Sequence, residues 1–480
     1  MMAYQHLNLQ YIAGKWRKGQ SDQIIPNMNP YTGAEIFSLQ AANTTDVDAA
    51  FDAALNCFKQ GQLDSIEKRL NVIQSLILLI QQRREEIIDW LIAESGSTRL
   101  KANIEVDAAL GIITESLKYP VQLKPETLHS QDPTRRSIVV RKALGVIAVI
   151  SPWNFPFHLS MRSVVMAIAC GNSVVLKPAS DTPVTGGTLL AKLFEEAGLP
   201  AGAFNVVAGS GGEIGDYFVE HEIPKLISFT GSTEVGQGVG RKALASSRIK
   251  RLALELGGNA PLVILDDADL DLAVELTVMG RFLHQGQICM STNRVIVDQS
   301  IYAAYLDQLM IRIKQISVGD PAQQETLIGP MINLSQVEKQ REVILKAQAQ
   351  GARLIYAGGI EGNVVAPHVF VDVDPQSDLA QEESFGPILP IIKADNEAHA
   401  LALANDSRFG LSSAVCTQNL ERGQRFAEHL DVGMTHINGI SVADHANAPF
   451  GGEKNSGLGR FNGRWIFEEF TRTHWLTLPT

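Results

Sequence analysis

Three short stretches of the chain carry residue types that together could act on a carbonyl group. Cys289 ends the run Gly-Gln-Ile-Cys, and the glycine at its start leaves room for a substrate to come near the sulfur. Glu255 is a lone carboxylate followed by Leu-Gly-Gly-Asn, and Asn154 presents a neutral amide inside Pro-Trp-Asn-Phe-Pro. A nucleophile, a base and an amide donor are the groups that covalent chemistry at a carbonyl needs.

The other three cysteines, Cys57, Cys170 and Cys416, lie in apolar helix or strand contexts, where we expect plain core residues. The four cysteines of the chain are widely spaced and form no Cys-x-x-Cys pair. This usage is typical of a reducing compartment, and it argues against a disulfide framework or a structural zinc site. We therefore expect no bound metal.

Length and charge set outer bounds on the function. A chain of 480 residues exceeds one ordinary core, so we expect two or three domains. The net charge of −11 argues against nucleic acid or an anionic membrane as a main partner. Residues 1–16 lack the pattern of a secretory signal, and the apolar run 70–80 is too short and too polar to span a bilayer. We expect a cytoplasmic protein.

The elements that must position these residues alternate between strand and helix. Short apolar runs rich in β-branched residues predict buried parallel strands, and segment 183–197 between two of them is predicted to be helical. This alternation predicts a doubly wound α/β domain, followed after Glu255 by a second α/β series. The predicted strands cover residues 145–150, 173–176, 204–207, 226–229, 261–265 and 294–297, and helices are expected near 300–316 and 335–350.

Further elements are predicted at the two ends of the chain and between the domains. Residues 7–40 are predicted to form short strands joined by turns, and Thr44 or Thr45 to cap a helix that begins near Asp46. One longer helical region is predicted over 65–95, and an antiparallel strand over 137–141. The tail 471–478 is strand-like without an obvious partner nearby in sequence, so we expect it to pair with another subunit.

Two glycine-rich segments are candidates for binding the phosphates of a dinucleotide. In segment 209–215 the third glycine falls one place later than Gly-x-Gly-x-x-Gly requires, so by itself the segment is more typical of a loop. Segment 229–236 follows a strand and offers glycine and hydroxyl donors at a helix start, which suit a pyrophosphate. It lacks the Lys-Ser/Thr pair of a P-loop, which argues against nucleotide hydrolysis. A capped helix without a ligand is the alternative for this segment.

Seven segments, taken in order, resemble the aldehyde dehydrogenase superfamily over nearly the whole chain. They are 152–156, Lys-Pro-Ala-Ser at 177–180, 229–236, 255–258, 286–289, Glu-Ser-Phe-Gly-Pro at 383–387 and Pro-Phe-Gly-Gly at 449–452. The resemblance implies that Cys289 attacks an aldehyde, and that the Asn154 amide and the Cys289 N–H hold the oxyanion. It also implies that Glu255 activates the water that hydrolyses the thioester. Relatives that pass the acyl group to coenzyme A generally lack this carboxylate, so its presence favours hydrolysis.

The resemblance also implies an architecture of three parts. A Rossmann-like, doubly wound cofactor domain is expected from 1–120 and 143–256, an α/β catalytic domain from 257–460, and a small β oligomerisation extension from 121–142 and 461–480. A homodimer or a homotetramer is implied, and the sequence does not choose between them. Some relatives serve as structural proteins in animal lenses, but the intact Cys289 argues against that role.

The cofactor implied by the resemblance is NAD or NADP. Lys177 resembles the lysine that contacts the adenosine ribose, Glu383 the acid that holds the nicotinamide ribose, and Phe385 would lie against the nicotinamide. Ser180 stands where many NAD-preferring members have glutamate. Because a hydroxyl can donate to the extra phosphate of NADP and a carboxylate repels it, we expect NADP to be accepted alongside NAD. The other positions expected along the cofactor path are Trp153, Gly211, Gly215, Phe229, Gly231, Ser232, Val235 and Leu256.

The substrate funnel is expected to draw on the helix after Asn154, the flanks of Cys289 and the loop before Pro449. Its candidate residues are Phe155, Leu159, Arg162, His284, Ile288 and Met290. Segments 284–290 and 433–438 look most like the benzaldehyde and vanillin dehydrogenase branch, and a flat aromatic aldehyde suits an apolar slot. Succinic semialdehyde, whose carboxylate meets an arginine at the place of Arg162 in that branch, is the first alternative substrate. A broad aliphatic aldehyde oxidase is the second alternative.

Overall fold

An eight-stranded sheet forms the frame of the first half of the protein. The computed structural model describes residues 4–480, and the five central strands of this sheet run parallel. Parallel neighbours need crossover connections, which here are mostly helices, so the predicted doubly wound arrangement is confirmed. In spatial order the strands are Lys15–Arg17, Gln10–Ile12, Phe204–Val206, Ser173–Lys177, Val146–Ile150, Leu226–Thr230, Arg251–Glu255 and Gly457–Leu458.

A second sheet of seven strands follows Glu255 in the chain, as the second α/β series predicts. All of its neighbouring strands are parallel except the first pair, which is antiparallel. Inner strands of this sheet, such as Ala260–Ile264, Thr292–Asp298 and Ser412–Cys416, are buried on both faces, which explains the apolar runs in their sequences. In spatial order they are Arg353–Ala357, His368–Val371, Ile388–Ala394, Thr292–Asp298, Ala260–Ile264, Ser412–Cys416 and Met434–Ile437.

Helices cover the faces of both sheets, and one of them lies wholly inside the protein. All residues of the helix Pro156–Ala169 are buried, and it packs against the helix Arg99–Ser116 and two strands of the first sheet. Side chains on this helix therefore face protein on every side. The α-helices are Thr44–Lys59, Ile66–Gln82, Arg84–Ser95, Arg99–Ser116, Pro156–Ala169, Leu189–Glu196, Asp216–Glu220, Thr233–Ala245, Leu270–Phe282, Tyr302–Ile313, Leu334–Ala349, Asp378–Gln381, Glu397–Asn405, Leu420–Glu428 and Gly463–Glu469.

The tail strand pairs along one of its edges with a strand of its own chain. For that edge, the prediction that the tail needs another subunit for pairing is wrong. Thr471–Pro479 pairs antiparallel with Arg135–Ala143 over nine residue pairs, and Glu126–Leu128 adds a third strand. The predicted antiparallel strand over 137–141 is thereby confirmed. The partner is far away in sequence, and a strand pattern does not say which distant strand it will join. Smaller two-stranded ladders join Ile24–Met28 to Glu35–Gln40, Ile360–Glu361 to Val364–Val365 and Phe409–Gly410 to Glu453–Lys454.

Three local predictions require correction. The first helix is capped by Asn43 and not by Thr44 or Thr45, because the Asn43 side chain and Asp46 satisfy each other's backbone N–H groups in a capping box. The helical region 65–95 is two helices, which are separated at Arg83 by a non-helical backbone. In segment 209–215 the expected loop is limited to Gly209 and Ser210, because Ser210 caps a π-helical turn over Gly211–Gly215 that leads into a helix. The Gly-x-Gly-x-x-Gly pattern indicates phosphate binding, and its absence does not show whether a helix forms.

No helix within residues 4–480 has the length and apolar character needed to cross a membrane. Across the same residues, histidine, cysteine and carboxylate side chains form no group of three or more that could hold a metal ion.

Candidate active site

The three residues singled out for carbonyl chemistry meet at one cleft. Asn154 lies in the turn between the strand Val146–Ile150 and the buried helix Pro156–Ala169, and Glu255 is the last residue of the strand Arg251–Glu255. Cys289 lies on the segment that leads into Thr292–Asp298, in the second sheet. All three line a cavity of about 680 Å³. The cleft therefore lies between the two sheets, with its reactive groups supplied by both.

The backbone before Cys289 adopts an unusual conformation that side chains hold in place. His284, Gln285 and Gly286 have φ angles of 50°, 58° and 74°, in the left-handed region. The Gln285 side chain donates to the Pro330 carbonyl at 2.7 Å and accepts from the Gly329 N–H at 3.1 Å. Such strained segments persist only where their surroundings determine them, and they cluster at functional sites.

Glycine is required where the two sheets come closest to the sulfur. A Cβ on Gly258 would lie 2.1 Å from the Cys289 carbonyl oxygen. A Cβ on Gly286 would lie 2.5 Å from the Gly386 carbonyl oxygen, and the positive φ also favours glycine there. These glycines let the backbone pack tightly around the thiol.

Hydrogen bonds to neighbouring elements fix the Asn154 amide. Its Nδ2 donates to the Gln287 carbonyl at 2.9 Å, which leaves the second Nδ2 hydrogen available in the cleft. The following helix is anchored by the buried Glu105, whose Oε1 accepts from the Phe157 and His158 N–H groups at 2.9 and 3.1 Å. A carboxylate at a helix N-terminus also complements the helix dipole.

Burial dominates the electrostatics of the thiol and the carboxylate. It raises the pKa of the Cys289 thiol well above its ordinary value, and the neighbouring Glu255 carboxylate adds to this rise. Burial also raises the pKa of Glu255, and the Arg162 guanidinium opposes that rise. Within residues 4–480, neither Glu255 carboxylate oxygen has a hydrogen-bond partner of ordinary geometry. The carboxylate is thus free to accept a proton from a molecule in the cleft.

The cofactor positions predicted from the sequence line three cavities. The first cavity, which holds the reactive residues, is also lined by Trp153, Gly231, Ser232, Leu256, Glu383 and Phe385. A second cavity of about 670 Å³ is lined by Lys177, Gly211, Gly215, Phe229 and Val235. Ser180 lines a third cavity together with Asp181 and Glu94. The first two cavities flank the start of the helix Thr233–Ala245, which Ser232 caps.

The second cavity has the groups and the room that a nucleotide needs. The Lys177 side chain is buried, makes no hydrogen bond or ion pair within the described chain, and has a pKa lowered by burial to about 8. Such an unpaired ammonium suits sugar hydroxyl groups. A Cβ on Gly211 or Gly215 would meet no atom within 4 Å, so this wall opens onto free space. These residues fit a dinucleotide.

Glu383 and Phe385 occupy the other end of the predicted cofactor path. Burial raises the Glu383 pKa to about 7, and one carboxylate oxygen accepts from the Gly258 N–H at 2.9 Å. The Phe385 ring packs edge-on against Trp153, with ring centroids 5.4 Å apart. A carboxylate and an aromatic face next to Cys289 fit the ribose and the flat ring of a nicotinamide.

Only one of the six predicted substrate residues lines the first cavity in the described chain, namely Leu159. Phe155 is partly buried, with the His284 ring edge-on at 5.6 Å between centroids. His284, Ile288 and Met290 are buried. Burial lowers the pKa of His284 well below its usual value, so the ring is neutral. These side chains form the layer behind the cleft wall.

Arg162 is fully buried and faces Glu255 rather than the cleft. Its Nη2 lies 3.7 Å from a Glu255 carboxylate oxygen. The guanidinium is packed between the rings of Phe450 and Phe461, at 4.7 and 4.3 Å from their centroids. A substrate carboxylate cannot reach this guanidinium without displacing Glu255.

Sequence reasoning missed two polar residues of the first cavity, Gln336 and Lys339. Both lie on the helix Leu334–Ala349, far from the motifs in sequence, and their polar helical pattern is that of an ordinary solvated face. It also missed Asp444, whose carboxylate lies 2.9 Å from His158 Nε2. The expectation that the loop before Pro449 contributes to the funnel was the one indication of this region.

Comparison with known proteins agrees with this geometry. The aldehyde dehydrogenase family profile matches residues 16–476. The chain is 50% identical over 465 residues to a vanillin dehydrogenase of Corynebacterium glutamicum, which covers 97% of this chain and 96% of that protein. It is 44% identical over 479 residues to a benzaldehyde dehydrogenase of Bacillus subtilis, with coverage of 100% and 98%.

A solved structure leads to the same assignment. The crystal structure of an NAD-dependent benzaldehyde dehydrogenase from Corynebacterium glutamicum matches with a TM-score of 0.92 at 47% identity, covering 100% of this chain and 98% of that one. The match extends over both sheets and the tail. This chain belongs to the aldehyde dehydrogenase family.

Proposed function

We propose that this protein oxidises an aromatic aldehyde of the benzaldehyde or vanillin type to its carboxylic acid, with NAD or NADP as the acceptor. The observation that carries the proposal is a single cleft lined by Cys289, Glu255 and Asn154 together with residues suited to a nicotinamide. Vanillin and benzaldehyde dehydrogenases among the relatives support the aromatic class.

Cys289 is the proposed nucleophile. Its thiol loses a proton, and the sulfur bonds to the aldehyde carbon to give a thiohemiacetal whose oxygen is negatively charged. The free Nδ2 hydrogen of Asn154 and the Cys289 N–H are proposed to donate to this oxygen. When bound, the nicotinamide cofactor supplies the hydride acceptor, and its action leaves a thioester on Cys289.

Glu255 is the proposed base of the second half of the reaction. A water molecule transfers a proton to the carboxylate while its oxygen bonds to the thioester carbon. The carbon–sulfur bond then breaks, the carboxylic acid leaves, and Cys289 is regenerated. In the described chain the carboxylate oxygens of Glu255 accept no hydrogen bond of ordinary geometry, which supports this role, since a base must have a free lone pair toward the water.

The cofactor is proposed to lie along the two cavities that flank the helix Thr233–Ala245, with the extra phosphate of NADP placed toward the third cavity, which Ser180 lines. Lys177 would bind the adenosine ribose, Ser232 and Gly231 the pyrophosphate, and Glu383 the nicotinamide ribose. The hydroxyl of Ser180 adds no negative charge that would repel the extra phosphate of NADP, so both cofactors are proposed to be accepted.

The environment of Arg162 favours the aromatic class over succinic semialdehyde. The semialdehyde alternative requires an arginine that meets a substrate carboxylate. Here the guanidinium is inaccessible, already faces Glu255, and is enclosed by Phe450 and Phe461. We therefore propose that Arg162 does not bind substrate, and that Leu159 supplies an apolar contact to an aromatic ring.

The domain boundaries and the oligomeric state are part of the same proposal. We propose a cofactor domain of 1–120 and 143–256, a catalytic domain of 257–460, and an extension of 121–142 and 461–480. The eight-stranded, seven-stranded and three-stranded sheets support this division, although Gly457–Leu458 of the catalytic range pairs into the eight-stranded sheet. The extension presents Trp475, Leu478 and Leu128 as exposed apolar side chains. Their exposure supports a homodimer or a homotetramer.

A panel of aldehydes tests the proposed function. Benzaldehyde, vanillin, succinic semialdehyde and an aliphatic aldehyde would each be assayed with NAD and with NADP by the absorbance of the reduced cofactor. We expect kcat/KM to be highest for the aromatic aldehydes, and Cys289→Ala to abolish turnover while the control Cys416→Ala retains it. A large preference for the semialdehyde, or full activity of Cys289→Ala, would refute the proposal.

A further inference from the structure

Arg162 forms a buried ion pair with Glu255, the proposed base. It is on the helix Pro156–Ala169, its exposed fraction is 0%, and its Nη2 lies 3.7 Å from Oε2 of Glu255, whose side chain is 1% exposed. The same Nη2 is 3.4 Å from the Thr230 hydroxyl. The rings of Phe450 and Phe461 hold the guanidinium from both sides and restrict its position.

Most of the other ionisable groups around Glu255 are neutral or acidic, and within the described chain the one further cation of the same cavity is Lys339, on the helix Leu334–Ala349. Cys289 offers a thiol, the loop before Pro449 offers the carboxylate of Asp444, and Glu383 approaches from the second half of the chain. Burial raises the pKa of Glu255, and Arg162, 3.7 Å away, is the cation that opposes this rise. A buried carboxylate without a cation nearby favours its protonated form, in which it cannot act as a base.

We propose that Arg162 is a positioning residue that keeps the Glu255 carboxylate ionised and directed toward the acyl group on Cys289. The inference rests on the proposed function, in which Glu255 takes a proton from water as the water oxygen bonds to the thioester carbon and the carbon–sulfur bond breaks. Arg162 is not proposed to contact substrate or cofactor. It sets the protonation state of the group that does.

The inference predicts opposite effects for two substitutions. Arg162→Met removes the cation, so Glu255 stays protonated to higher pH. The acidic limb of the pH–rate profile of hydrolysis therefore moves to higher pH. Asp444→Asn removes a nearby negative charge, so the same limb moves to lower pH. Arg162→Lys keeps the charge without the planar fork of the guanidinium, and its limb is expected near that of the wild type.

A cofactor-free assay separates hydrolysis from hydride transfer. Para-nitrophenyl acetate acylates a reactive thiol: sulfur bonds to the ester carbon, the carbon–oxygen bond breaks, and nitrophenolate leaves as a burst. The later steady phase then measures hydrolysis of the acetyl thioester. For Arg162→Met we expect the burst to remain, the acidic limb to move to higher pH by about one unit, and the steady rate at pH values on that limb to fall about tenfold.

Arg294 provides a matched control for the loss of a buried arginine. It is 2% exposed, and its guanidinium donates to the carbonyls of Leu403, Ala404 and Asp406 and, at 3.4 Å, to that of Asn259. Arg294→Met is expected to lower the melting temperature without moving the limb. An unchanged limb in Arg162→Met, or an equal shift in Arg294→Met, overturns the inference. If Arg162→Met does not fold, an unchanged or upward limb in Asp444→Asn overturns it.

The result is distinguishable from a failure of the proposed function. If the wild type hydrolyses the ester but reduces no cofactor with benzaldehyde, the proposed function fails, and the shifts in the ester assay still decide the role of Arg162. If benzaldehyde is oxidised and the limb of Arg162→Met stays in place, the function stands and the inference about Arg162 fails.

Discussion

The side chain of Asn154 is fixed in a way that suits stabilisation of an oxyanion. One Nδ2 hydrogen is used by the Gln287 carbonyl, so the amide cannot rotate freely, and the other hydrogen remains in the cleft. A donor that is already oriented needs no reorganisation when negative charge develops on the substrate oxygen. The same residue therefore combines a structural bond with a proposed chemical role.

Removal of this donor is expected to slow the reaction without unfolding the protein. Asn154→Ala should lower kcat by roughly 10²–10³-fold, the usual cost of one oxyanion donor. Steady-state kinetics with benzaldehyde would measure it, and the melting temperature would serve as the control for folding. A kcat within a few-fold of the wild type would show that the amide does not contact the oxyanion.

Cofactor choice is expected to depend on the charge at position 180. Ser180→Glu places a carboxylate where the extra phosphate of NADP is proposed to bind, so KM for NADP should rise by about tenfold or more while KM for NAD changes less. Ser180→Gln, of similar size but uncharged, is the matched control and should raise KM for NADP less. Equal saturation kinetics of Ser180→Glu and the wild type with NADP would refute the hypothesis.

At the scale of elements, the reactive groups are placed by the ends of strands and by one tight contact between the sheets. Glu255 ends a strand of the first sheet, and Cys289 precedes a strand of the second. Gly258 follows Glu255 and lies against the Cys289 backbone, so the two groups are held at a fixed separation. This contact is the structural reason for glycine at position 258, whereas a Cβ on Gly257 would lie 2.8 Å from Oε2 of Glu383.

A methyl group at this contact is expected to disturb the site. In Gly258→Ala the Cβ would lie 2.1 Å from the Cys289 carbonyl oxygen, so the Cys289 segment must shift, and we expect kcat to fall at least tenfold. Gly240→Ala, where the nearest atom is 3.9 Å away within a helix, is the control and should retain activity. If both variants had wild-type kcat, the contact would have no role in placing Cys289.

Some helices and strands could be predicted from the sequence, and other details of these elements could not. The strand Val146–Ile150 was predictable because a short β-branched run bounded by proline has few alternatives. The capping box of Asn43 was not, since asparagine and threonine are both good caps and the choice depends on the approach of Asp46. The break between two helices at Arg83 was not predictable either, because no glycine or proline marks it in the sequence.

At the scale of the whole molecule, the tail completes a sheet whose other two strands lie in the first third of the chain. Thr471–Pro479 is an edge strand, with its inner side paired to Arg135–Ala143. Trp475 is 66% exposed on this sheet, although its Nε1 donates to the Ser137 hydroxyl at 2.7 Å. An edge strand with exposed apolar side chains is a surface suited to association between subunits.

Loss of the tail is therefore expected to weaken both folding and assembly. Deletion of residues 471–480 should lower the melting temperature, because the strand Arg135–Ala143 loses its longest ladder. It should also shift the protein to a smaller assembly, measured by light scattering after size-exclusion chromatography. A milder variant, Trp475→Ser, should affect assembly more than stability. A full-length protein that is monomeric at micromolar concentration would contradict the proposed oligomer.

The sequence by itself determined which chemistry is available: short motifs carry the thiol, the carboxylate and the amide with their local backbone requirements, and their order identifies the family. Only the tertiary structure decided which of the distant residues meet. It placed Arg162 against Glu255 and most of the predicted substrate residues behind the cleft wall, and it paired the tail with a strand of its own chain. Local motifs depend on neighbours along the chain, whereas burial and charge pairing depend on packing between elements that are far apart in sequence.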